Sequence, residues 1–548
     1  MALRGADVLA RALAQGGARR LFSLSGNHIM PVYDAALDAR LAITHVRHEG
    51  AAVHMADAWG RLTGEPGVAL LTGGPGHANG VGALYTALAS ESPVVMLSGH
   101  APLTEVGRGS FQEMAQADLA APVTKASWTA QRAEALGEDI ARAMRIACSG
   151  RPGPVHISLP VDLLETKVAH AAAVPDAAFQ PVAQPLADAA IDAALAEIGR
   201  ARRPLILVGP QMANARAPRE RLAAATGVPV LCMESPRGVN DPCLGAYADV
   251  LKDADLIVLL GKQPDFTLRF GAAPAVAAAC RFVVIDPDPE VLGRARRTLG
   301  ADRVTLAVVA DTVPAAEAMA ARAASSPGAS AWARDVDGAV RYRPPEWEQL
   351  VSRAEGPLHP VEVGRAARKL VGRSPDAVLV IDGGEFGQWA QACVAAPTRI
   401  INGVAGSIGS ALPFALAARI ARPAAPVVAI LGDGTFGFHM AEFDTAVRER
   451  LPFVAVVGND ACWNAEHQIQ LRTYGSERAH GCELLPARYD LAVAALGGHG
   501  ECVTRAADLP AALERAAASG KPACVNVMIE RLPAPMVTRA AAHAGAAH

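Results

Sequence analysis

The stretch that decides the fold is VVAILGDGTFGFHMAEFDTAVRERLPFVAVVGNDACWNAEHQIQ, residues 427–470. It begins with VVAIL (427–431), an apolar run of strand length that the turn GDG ends. FVAVVG (453–458) is a second such run, and Asn459-Asp460 ends it. The segment between the two runs is predicted to be a helix, because its apolar residues recur at roughly helical spacing. That apolar face comprises Phe438, Phe443, Ala446, Val447 and Leu451.

Two acidic residues, Asp433 and Asp460, follow these two predicted strands. A strand–helix–strand unit of this size is right-handed and its strands are parallel, so both strand ends lie at one edge of the sheet. Asp433 and Asp460 are therefore expected to face one point. Two carboxylates beside a glycine turn and a helix N-terminus suit Mg²⁺ bound to a diphosphate. The alternative is a pair of ordinary turns, since Asp-Gly is common turn chemistry, but the ordered pair across one crossover favours the metal site.

Length and composition exclude several classes of protein. The chain has 548 residues, enough for about three domains. It contains no uninterrupted apolar run of about 18 residues and no signal-peptide pattern at its start, so no membrane span is expected. The net charge of −3 without a basic block argues against nucleic acid as the partner. The nine cysteines form no C-x-x-C pair, so neither a zinc site nor a disulfide framework is predicted, and a cytoplasmic location is expected.

Short apolar strands alternate with helical segments along most of the chain, which predicts an α/β fold of three Rossmann-like, doubly wound parallel-sheet domains. The middle domain lacks the G-x-G-x-x-G pattern of ordinary dinucleotide binding. Ala/Pro-rich linkers are predicted at 166–185 and 323–345. The predicted domains are 1–165, 186–325 and 356–535, followed by a flexible tail at 536–548.

These motifs resemble those of a known family. The order GDG, about 25 residues, then an Asn-Asn pair is the signature of thiamine diphosphate enzymes, and GDGTFGFHMAEFDTAVRERLP followed by VVGND resembles the acetolactate synthase superfamily. That superfamily includes benzaldehyde lyase, 2-hydroxyacyl-CoA lyase and oxalyl-CoA decarboxylase. Asp460 departs from the pattern, because the second residue of the pair is usually Asn. The resemblance implies thiamine diphosphate and Mg²⁺ as cofactors, with a pyrimidine-binding, a middle and a diphosphate-binding domain.

The resemblance also implies a site shared between subunits. In the family the Glu of R-H-E, here Glu49, hydrogen-bonds the pyrimidine ring of the cofactor; the alternative is a helix N-terminal Glu favoured by the helix dipole. Glu49 and Asp433 are far apart in sequence, which suits a homodimer or homotetramer whose active sites lie at subunit interfaces. His28 and Gln112 match polar pocket residues of benzaldehyde lyase, and His28 is expected to relay the proton of a substrate hydroxyl.

Further residues are expected to bind the cofactor by the same resemblance. GGPGHAN (73–79) is the glycine turn against the pyrimidine, GGEF (383–386) reaches the diphosphate, and GSIG (406–409) holds the bend between the rings with Ile408 as the wedge. The expected cofactor-binding residues are Gly74, Gly76, Asn79, Gly384, Glu385, Phe386, Ser407, Ile408, Gly434, Thr435 and Trp463. Mg²⁺ is expected on Asp433, Asp460 and the backbone carbonyl of Cys462.

Three functions remain open at this point. A C–C lyase or carboligase acting on small 2-hydroxy ketones, aldehydes or 2-oxo acids is favoured over acetolactate synthase itself, because Val161 stands where that enzyme has a lysine and CWNAEHQIQ replaces its Q-W-E-D element. The second is a CoA-thioester enzyme, either 2-hydroxyacyl-CoA lyase or oxalyl-CoA decarboxylase, with FAD, ADP or the CoA adenine in the middle domain near IDPDPEVLGRARR (285–297). The third is a degenerate member that serves as a binding or regulatory subunit.

Overall fold

The protein is described here from a computed structural model, which covers residues 3–323 and 330–539. Within these ranges the chain forms three α/β domains, each built on a parallel sheet with helices on both faces, as the sequence predicts. The predicted flexible tail lies outside the described residues from position 540 onward. None of the described helices is long and apolar enough to cross a membrane.

The first domain contains a six-stranded parallel sheet in the order β3-β2-β4-β5-β7-β6. Its inner strands are buried on both faces, which explains why they read as continuous apolar runs in the sequence. The strands, including the short antiparallel pair β1 and β8, are β1 (Leu3–Arg4), β2 (Arg20–Ser23), β3 (Ala42–His45), β4 (Gly67–Leu71), β5 (Val94–His100), β6 (Ala126–Thr129), β7 (Pro154–Pro160) and β8 (Lys167–Val168). The helices are α1 (Gly5–Gln15), α2 (Met30–Asp38), α3 (Glu49–Thr63), α4 (Pro75–Ala89), α5 (Gln116–Ala120), α6 (Leu136–Cys148) and α7 (Val161–Glu165).

The middle domain contains a five-stranded parallel sheet in the order β10-β9-β11-β12-β13. Its strands are β9 (Pro204–Val208), β10 (Val230–Cys232), β11 (Leu256–Leu260), β12 (Arg281–Asp286) and β13 (Val304–Val309). Its helices, with a short one that leads out of the domain, are α8 (Asp188–Arg200), α9 (Arg216–Thr226), α10 (Tyr247–Leu251), α11 (Pro289–Leu299), α12 (Thr312–Arg322), α13 (Ala331–Arg341) and α14 (Glu346–Gln349).

The predicted linker at 323–345 is wrong in part, because it contains helix α13. Ser330 caps this helix by accepting a hydrogen bond from the Ala333 amide at 3.0 Å. Trp332 and Val336 on its apolar face are buried in the core of the middle domain. The Ala-, Ser- and Pro-rich composition before the helix concealed a short amphipathic pattern of about three turns.

The third domain repeats the strand order of the first, here as β15-β14-β16-β17-β19-β18. This shared order is the structural basis of the similar strand–helix rhythm at the two ends of the chain. Its strands are β14 (Val378–Ile381), β15 (Thr398–Ile401), β16 (Val427–Gly432), β17 (Val454–Asn459), β18 (His499–Val503) and β19 (Ala523–Met528). Its helices are α15 (Pro360–Val371), α16 (Gly384–Cys393), α17 (Ala411–Ala421), α18 (Asp433–His439), α19 (Glu442–Arg448), α20 (Asn464–Tyr474), α21 (Tyr489–Ala495) and α22 (Leu509–Ala518).

The crossover between β16 and β17 differs from the prediction in one respect. The two strands are parallel neighbours, as predicted, but the connection is two short helices, α18 and α19, rather than one. The break between them shifts the helical phase, so Phe443 is buried while Phe438 is 53% exposed. The prediction that Phe438 belongs to the buried face is therefore wrong; its ring lies 6.2 Å from that of Trp463, near the acidic turns.

One buried apolar cluster joins the first and third domains. It contains residues of α3 and α4 from the first domain and of α17 and α19 from the third. Phe414 on α17 lies within it, with the Arg61 guanidinium 4.9 Å from its ring centre and the His54 ring edge-on at 5.7 Å. The contact between α3 and α17 therefore sets how the two domains are oriented.

Replacing Phe414 by Ala is expected to lower the free energy of unfolding by about 3–5 kcal/mol, because a fully buried aromatic ring leaves a cavity that the packed helices cannot close. Urea unfolding followed by circular dichroism measures the change. The matched control is Leu37→Ala, which truncates an exposed apolar side chain and should change the stability by no more than about 0.5 kcal/mol. Equal effects of the two substitutions would contradict the importance of this contact.

Candidate active site

Glu49 lies at the first position of α3 and its side chain is only 8% exposed. Its Oε2 accepts a hydrogen bond from Asn79 Nδ2 at 3.0 Å. Gly76 lies directly beside it: a Cβ there would lie 3.3 Å from Glu49 Oε1 and 2.6 Å from the side chain of Thr72. Only glycine therefore fits at position 76, and the start of α4 brings Gly76 and Asn79 to the Glu49 carboxyl group.

His28 and Gln112 lie in the same domain, close to the turns that follow β2 and β4. The His28 ring is stacked on Phe111 with 5.9 Å between ring centres, and its Nδ1 lies 3.4 Å from Thr72 Oγ1. Burial lowers the pKa of His28, so the imidazole is neutral at neutral pH. Gln112 has a left-handed backbone conformation and lies against Gly74. The structure thus brings His28, Gln112 and Gly74 to one edge of the first domain.

His77, although it belongs to the same glycine turn, does not face this edge. It is fully buried, and its Nδ1 lies 2.9 Å from Ser98 Oγ on β5. Burial lowers the pKa of His77 to about 4. It is therefore a neutral internal residue of the first domain.

Asp433 and Asp460 follow β16 and β17, as the sequence predicts. Parallel pairing aligns Gly432 with Gly458 and brings both acidic turns to one edge. Burial raises the pKa of Asp433 to about 6, and burial together with the charge of Asp433 raises the pKa of Asp460 to about 7. Asp433 Oδ2 is buried and has no hydrogen-bond partner among the described residues. The two carboxyl groups are therefore buried without enough hydrogen bonds and positive charges around them to offset the cost of their burial.

Three further side chains contact the two acidic turns. The Trp463 ring lies over Gly434, and Thr435 Oγ1 donates a hydrogen bond to the Gly432 carbonyl oxygen at 3.0 Å. Arg531, which sequence reasoning missed, donates from Nη2 to the backbone oxygens of Asp460 and Ala461 at 3.0 and 3.1 Å. Arg531 lies 71 residues beyond Asp460, so no local motif could have pointed to it.

Asp382 is a second residue that sequence reasoning missed. Its Oδ1 accepts from the Gly383 amide at 2.7 Å, while Oδ2 accepts from the Gly409 and Ala411 amides at 2.9 and 3.1 Å. It therefore ties GGEF to the GSIG loop, whose half-buried Ile408 and Ser407 lie beside it. Burial raises the pKa of Asp382 to about 6. An available signal was its position at the end of a predicted strand, directly before two glycines.

Glu385 and Phe386, which are predicted to meet the diphosphate through their backbone amides, have side chains that contact other parts of the protein. Glu385 is buried and its Oε2 accepts from Arg237 Nη2 of the middle domain at 3.2 Å. Phe386 is packed in the core of the third domain against Gly458. Gly384, in contrast, has φ of +79°, and no atom of the described residues beyond its own helix start lies within 4 Å of where a Cβ would lie. The N-terminus of α16 therefore faces open space, and it is the backbone of GGEF that is available to an anion.

Within one chain, α19 connects the site residues around Glu49 in the first domain to those around Asp433 and Asp460 in the third domain. Glu442 Oε1 accepts from the amides of Arg47 and His48 at 3.0 and 3.2 Å, which fixes the residues just before Glu49. The rings of His48 and His439 are 5.7 Å apart. Glu442 is a further residue that sequence reasoning missed, because its partners lie nearly 400 residues away.

Three family profiles match the three domains in order. They are described as the N-terminal TPP binding domain, the central domain and the C-terminal TPP binding domain of thiamine pyrophosphate enzymes, and they match residues 3–119, 191–319 and 382–527. The chain therefore belongs to the thiamine pyrophosphate (thiamine diphosphate) enzymes. It is a thiamine diphosphate-dependent enzyme of the acetolactate synthase superfamily.

Relatives with two differently named activities resemble this chain over nearly its whole length. It is 35% identical to a probable acetolactate synthase of Mycobacterium bovis, over 95% of each chain. It is 30% identical to 2-hydroxyacyl-CoA lyase 2 of Homo sapiens, over 96% of this chain and 90% of that protein. It is also 30% identical to the acetolactate synthase large subunit of Parasynechococcus marenigrum, over 96% of this chain and 88% of that protein. These similarities confirm the family resemblance read from the motifs.

The residues present fit the cofactor of this family. The buried acidic pair, with the unpartnered Asp433 Oδ2, suits a divalent cation. The open space before the N-terminus of α16 suits an anionic group such as a diphosphate. In the first domain, the buried Glu49 carboxyl group and the close approach of Gly76 suit a flat polar ring.

Proposed function

We propose that the protein is a Mg²⁺- and thiamine diphosphate-dependent C–C lyase or carboligase that acts on small 2-hydroxy ketones, aldehydes or 2-oxo acids. The supporting observation is the set of side chains around Thr72 and Gly74, in the same segment whose Gly76 meets Glu49. His28, Phe111 and Gln112 carry no charge at neutral pH, since burial keeps His28 neutral. These uncharged side chains suit the carbonyl group and the apolar group that such substrates share.

Bound thiamine diphosphate supplies a nucleophilic carbon and an electron sink for breaking or forming the bond beside a carbonyl group. In this proposal Glu49 hydrogen-bonds the pyrimidine ring, and Asn79 holds the Glu49 carboxyl group in place. His28 accepts the proton of the substrate hydroxyl as the C–C bond breaks and returns it in the reverse direction. Gln112 donates a hydrogen bond to the substrate oxygen, and the Phe111 ring excludes water from one side.

The same proposal assigns the metal to the third domain. Asp433, Asp460 and the Cys462 carbonyl oxygen would hold Mg²⁺, a hard cation that prefers oxygen ligands. The amides at the start of α16 and the turn at Gly434 and Thr435 would meet the diphosphate. Trp463 and Ile408 would line the cofactor bend. The cytoplasm is proposed as the location, which the free thiols of all nine cysteines support.

A homodimer or homotetramer is part of the proposal. Large apolar side chains are exposed in both groups of site residues: Phe111 is 67% exposed in the first domain, and Phe438 is 53% exposed in the third. Covering these rings by a second copy would bring the Glu49 edge of one chain to the Asp433 edge of another. Light scattering measures the mass of the protein in solution and so distinguishes a monomer from a dimer or a tetramer.

A substrate screen with the Mg²⁺ and thiamine diphosphate-loaded protein tests the function. Benzoin, acetoin, 2-oxo acids and 2-hydroxyacyl-CoAs are offered separately, and aldehyde release or acyloin formation is recorded. We expect turnover with a 2-hydroxy ketone or a 2-oxo acid. Turnover restricted to the CoA thioesters would contradict the proposal, and cofactor binding without any turnover would favour a binding or regulatory subunit.

Replacing His28 by Gln is expected to lower kcat for cleavage by about 10- to 100-fold, because the side chain keeps its size but loses a proton acceptor. The affinity for thiamine diphosphate should not change, since His28 contacts Thr72 and Phe111 rather than the proposed cofactor residues. Steady-state kinetics and calorimetry measure the two quantities. His77→Gln, in the interior of the first domain, is the control. It should lower the free energy of unfolding and change kcat little. Unchanged cleavage in the His28 variant would remove His28 from the mechanism.

A CoA-thioester enzyme is the second candidate, because a relative over nearly the whole chain is named 2-hydroxyacyl-CoA lyase 2. In such an enzyme the CoA adenine would lie at the switch point between β9 and β11, the usual ligand crevice of such a sheet. FAD or ADP would bind at the same place. Here Arg151 of the first domain lies at the ends of β11 and β12, beside that crevice. It pairs with Asp286 and Glu91, and its Nη2 donates to the Gly261 oxygen at 3.2 Å.

The charged side chains expected to meet a nucleotide are already paired within the protein. Asp286, the acid that would meet a ribose, already accepts from Arg151 Nε at 3.2 Å. Arg294 of the basic cluster donates to Gln263 Oε1 at 2.6 Å. Calorimetry with ADP, CoA and FAD is therefore expected to show no binding. Binding of ADP or CoA would favour the second candidate over the first.

A further inference from the structure

A group of three metal-ligand side chains lies beside the acidic pair but is not part of it. Cys462 Sγ, a His467 ring nitrogen and a Glu483 carboxylate oxygen lie within 4.8 Å of one another. Cys462 is buried, His467 is half-buried and Glu483 is exposed, so one side of the group is open to solvent. The cysteines show no C-x-x-C spacing, and the sequence therefore predicted no zinc site here.

The backbone holds these three residues in place. Cys462 and Glu483 are partners in an antiparallel bridge, flanked by hydrogen bonds from the Trp463 amide to the Cys482 oxygen and from the Leu484 amide to the Ala461 oxygen, both 2.8 Å. His467 lies in the first turn of α20, and its amide donates to the Trp463 oxygen at 3.0 Å. The group is thus assembled from two paired segments and a helix start, all fixed by main-chain contacts.

We propose that the side chains of Cys462, His467 and Glu483 form a binding site for Zn²⁺ or a similar thiophilic divalent cation. It is distinct from the proposed Mg²⁺ site, to which Cys462 would contribute only its backbone carbonyl oxygen. One sulfur, one imidazole nitrogen and one carboxylate oxygen match the ligands that Zn²⁺ prefers, and water at the open side completes a tetrahedron. On binding, the Cys462 thiol releases its proton to solvent and the sulfur forms the bond to the metal. The all-oxygen acidic pair instead suits a hard cation.

Arg531 links this group to the acidic turn and sets the local charge. Its Nη1 and Nη2 donate to Glu483 Oε1 and Oε2 at 2.7 and 3.0 Å, while Nη2 also reaches the Asp460 and Ala461 oxygens. Each Glu483 oxygen keeps a free lone pair for a metal, since a carboxylate has about four acceptor positions. Arg531 can therefore hold Glu483 in position for the metal and offset part of its charge.

Co²⁺ titration of the full-length, chelator-treated protein tests the proposal without the cofactor. A tetrahedral site with one thiolate gives visible Co²⁺ bands and an ultraviolet sulfur-to-metal band, and Zn²⁺ should remove both. Cys462→Ser should abolish the sulfur band, and His467→Gln or Glu483→Gln should weaken binding at least about tenfold, since even the loss of an outer hydrogen bond to a ligand costs 10- to 100-fold. His467 and Glu483 are not in the core, so their variants are expected to fold.

Two controls separate this site from others. Cys482→Ser removes the neighbouring buried thiol and should leave the spectra unchanged. Excess Mg²⁺, which the all-oxygen acidic pair is proposed to bind, should not displace Co²⁺. Spectra that persist in Cys462→Ser, or that vanish in Cys482→Ser or on addition of Mg²⁺, would overturn the proposal. Because the titration contains no thiamine diphosphate, the outcome of the titration is independent of the proposed catalytic function.

Discussion

Replacing Glu49 by Gln is expected to lower kcat by about 10³-fold, within the range found for loss of a positioned proton-transfer group. Gln has nearly the same shape, and it can keep a hydrogen bond with Asn79. It cannot carry the charge or exchange the proton that the proposed contact with the pyrimidine ring requires. The buried position of Glu49 strengthens this effect, because little water is available to replace the carboxyl group.

The affinity for Mg²⁺ and thiamine diphosphate should fall much less than kcat in the Glu49 variant. The metal and diphosphate contacts belong to the third domain, while Glu49 would provide one hydrogen bond. Calorimetry measures the affinity, and a single-turnover assay measures the chemical step. Unchanged turnover in this variant would remove Glu49 from catalysis, and complete loss of cofactor binding would make its role one of binding.

Glu442→Gln is the matched control, because Glu442 is also a buried carboxyl group near the same turn. It accepts from the Arg47 and His48 amides and from Thr445 Oγ1. Loss of its charge weakens three hydrogen bonds and is expected to lower the free energy of unfolding by about 1–3 kcal/mol. Its kcat should fall far less than that of the Glu49 variant. Equal losses of kcat would indicate that both carboxyl groups act through the position of the turn.

The sequence predicted the fold well where short-range pattern determines structure. The strands of both outer domains are apolar runs that end in glycine or acidic turns, so their positions and the meeting of Asp433 with Asp460 followed from connection rules. Phe438 and helix α13 were different. A two-residue break changed the phase of one helix, and Ala-rich composition concealed the apolar face of the other.

Side-chain direction and long-range partners could not be read from the motifs. GGEF marks where the backbone approaches an anion, but it does not show that Phe386 enters the core or that Glu385 pairs with Arg237 of another domain. Arg531 and Glu442 join segments 71 and 395 residues apart. Such contacts depend on how the domains pack, and a single sequence considered alone carries no signal for them.

Replacing Asp433 by Ala is expected to weaken Mg²⁺-dependent binding of thiamine diphosphate by at least about 100-fold, because a metal ligand is lost outright, whereas loss of a mere supporting contact costs 10- to 100-fold. The variant without cofactor should be as stable as the wild type or more so. Burial raises the pKa of Asp433 to about 6, and burial together with repulsion from Asp433 raises the pKa of Asp460 to about 7. Removing one carboxylate relieves that repulsion.

The Trp463 ring lies over Gly434, so its fluorescence reports the titration. Asp460→Asn is the matched comparison. Asn keeps one ligand oxygen and the size of the side chain, and its affinity should stay within about tenfold of the wild type, since it loses a charge but not a ligand. Wild-type affinity in Asp433→Ala would remove the acidic pair from cofactor binding.

The same two inactive variants decide whether the site lies between chains. If Glu49 of one chain serves the cofactor held by Asp433 of another, a mixed dimer of Glu49→Gln and Asp433→Ala chains has one site with both residues intact and one with neither. Random pairing makes half of the dimers mixed, so co-expression should restore about a quarter of the wild-type activity. If both residues serve one site within a single chain, every site in the mixture lacks one of them. Activity would then stay at the level of the separate variants, which would contradict the shared site.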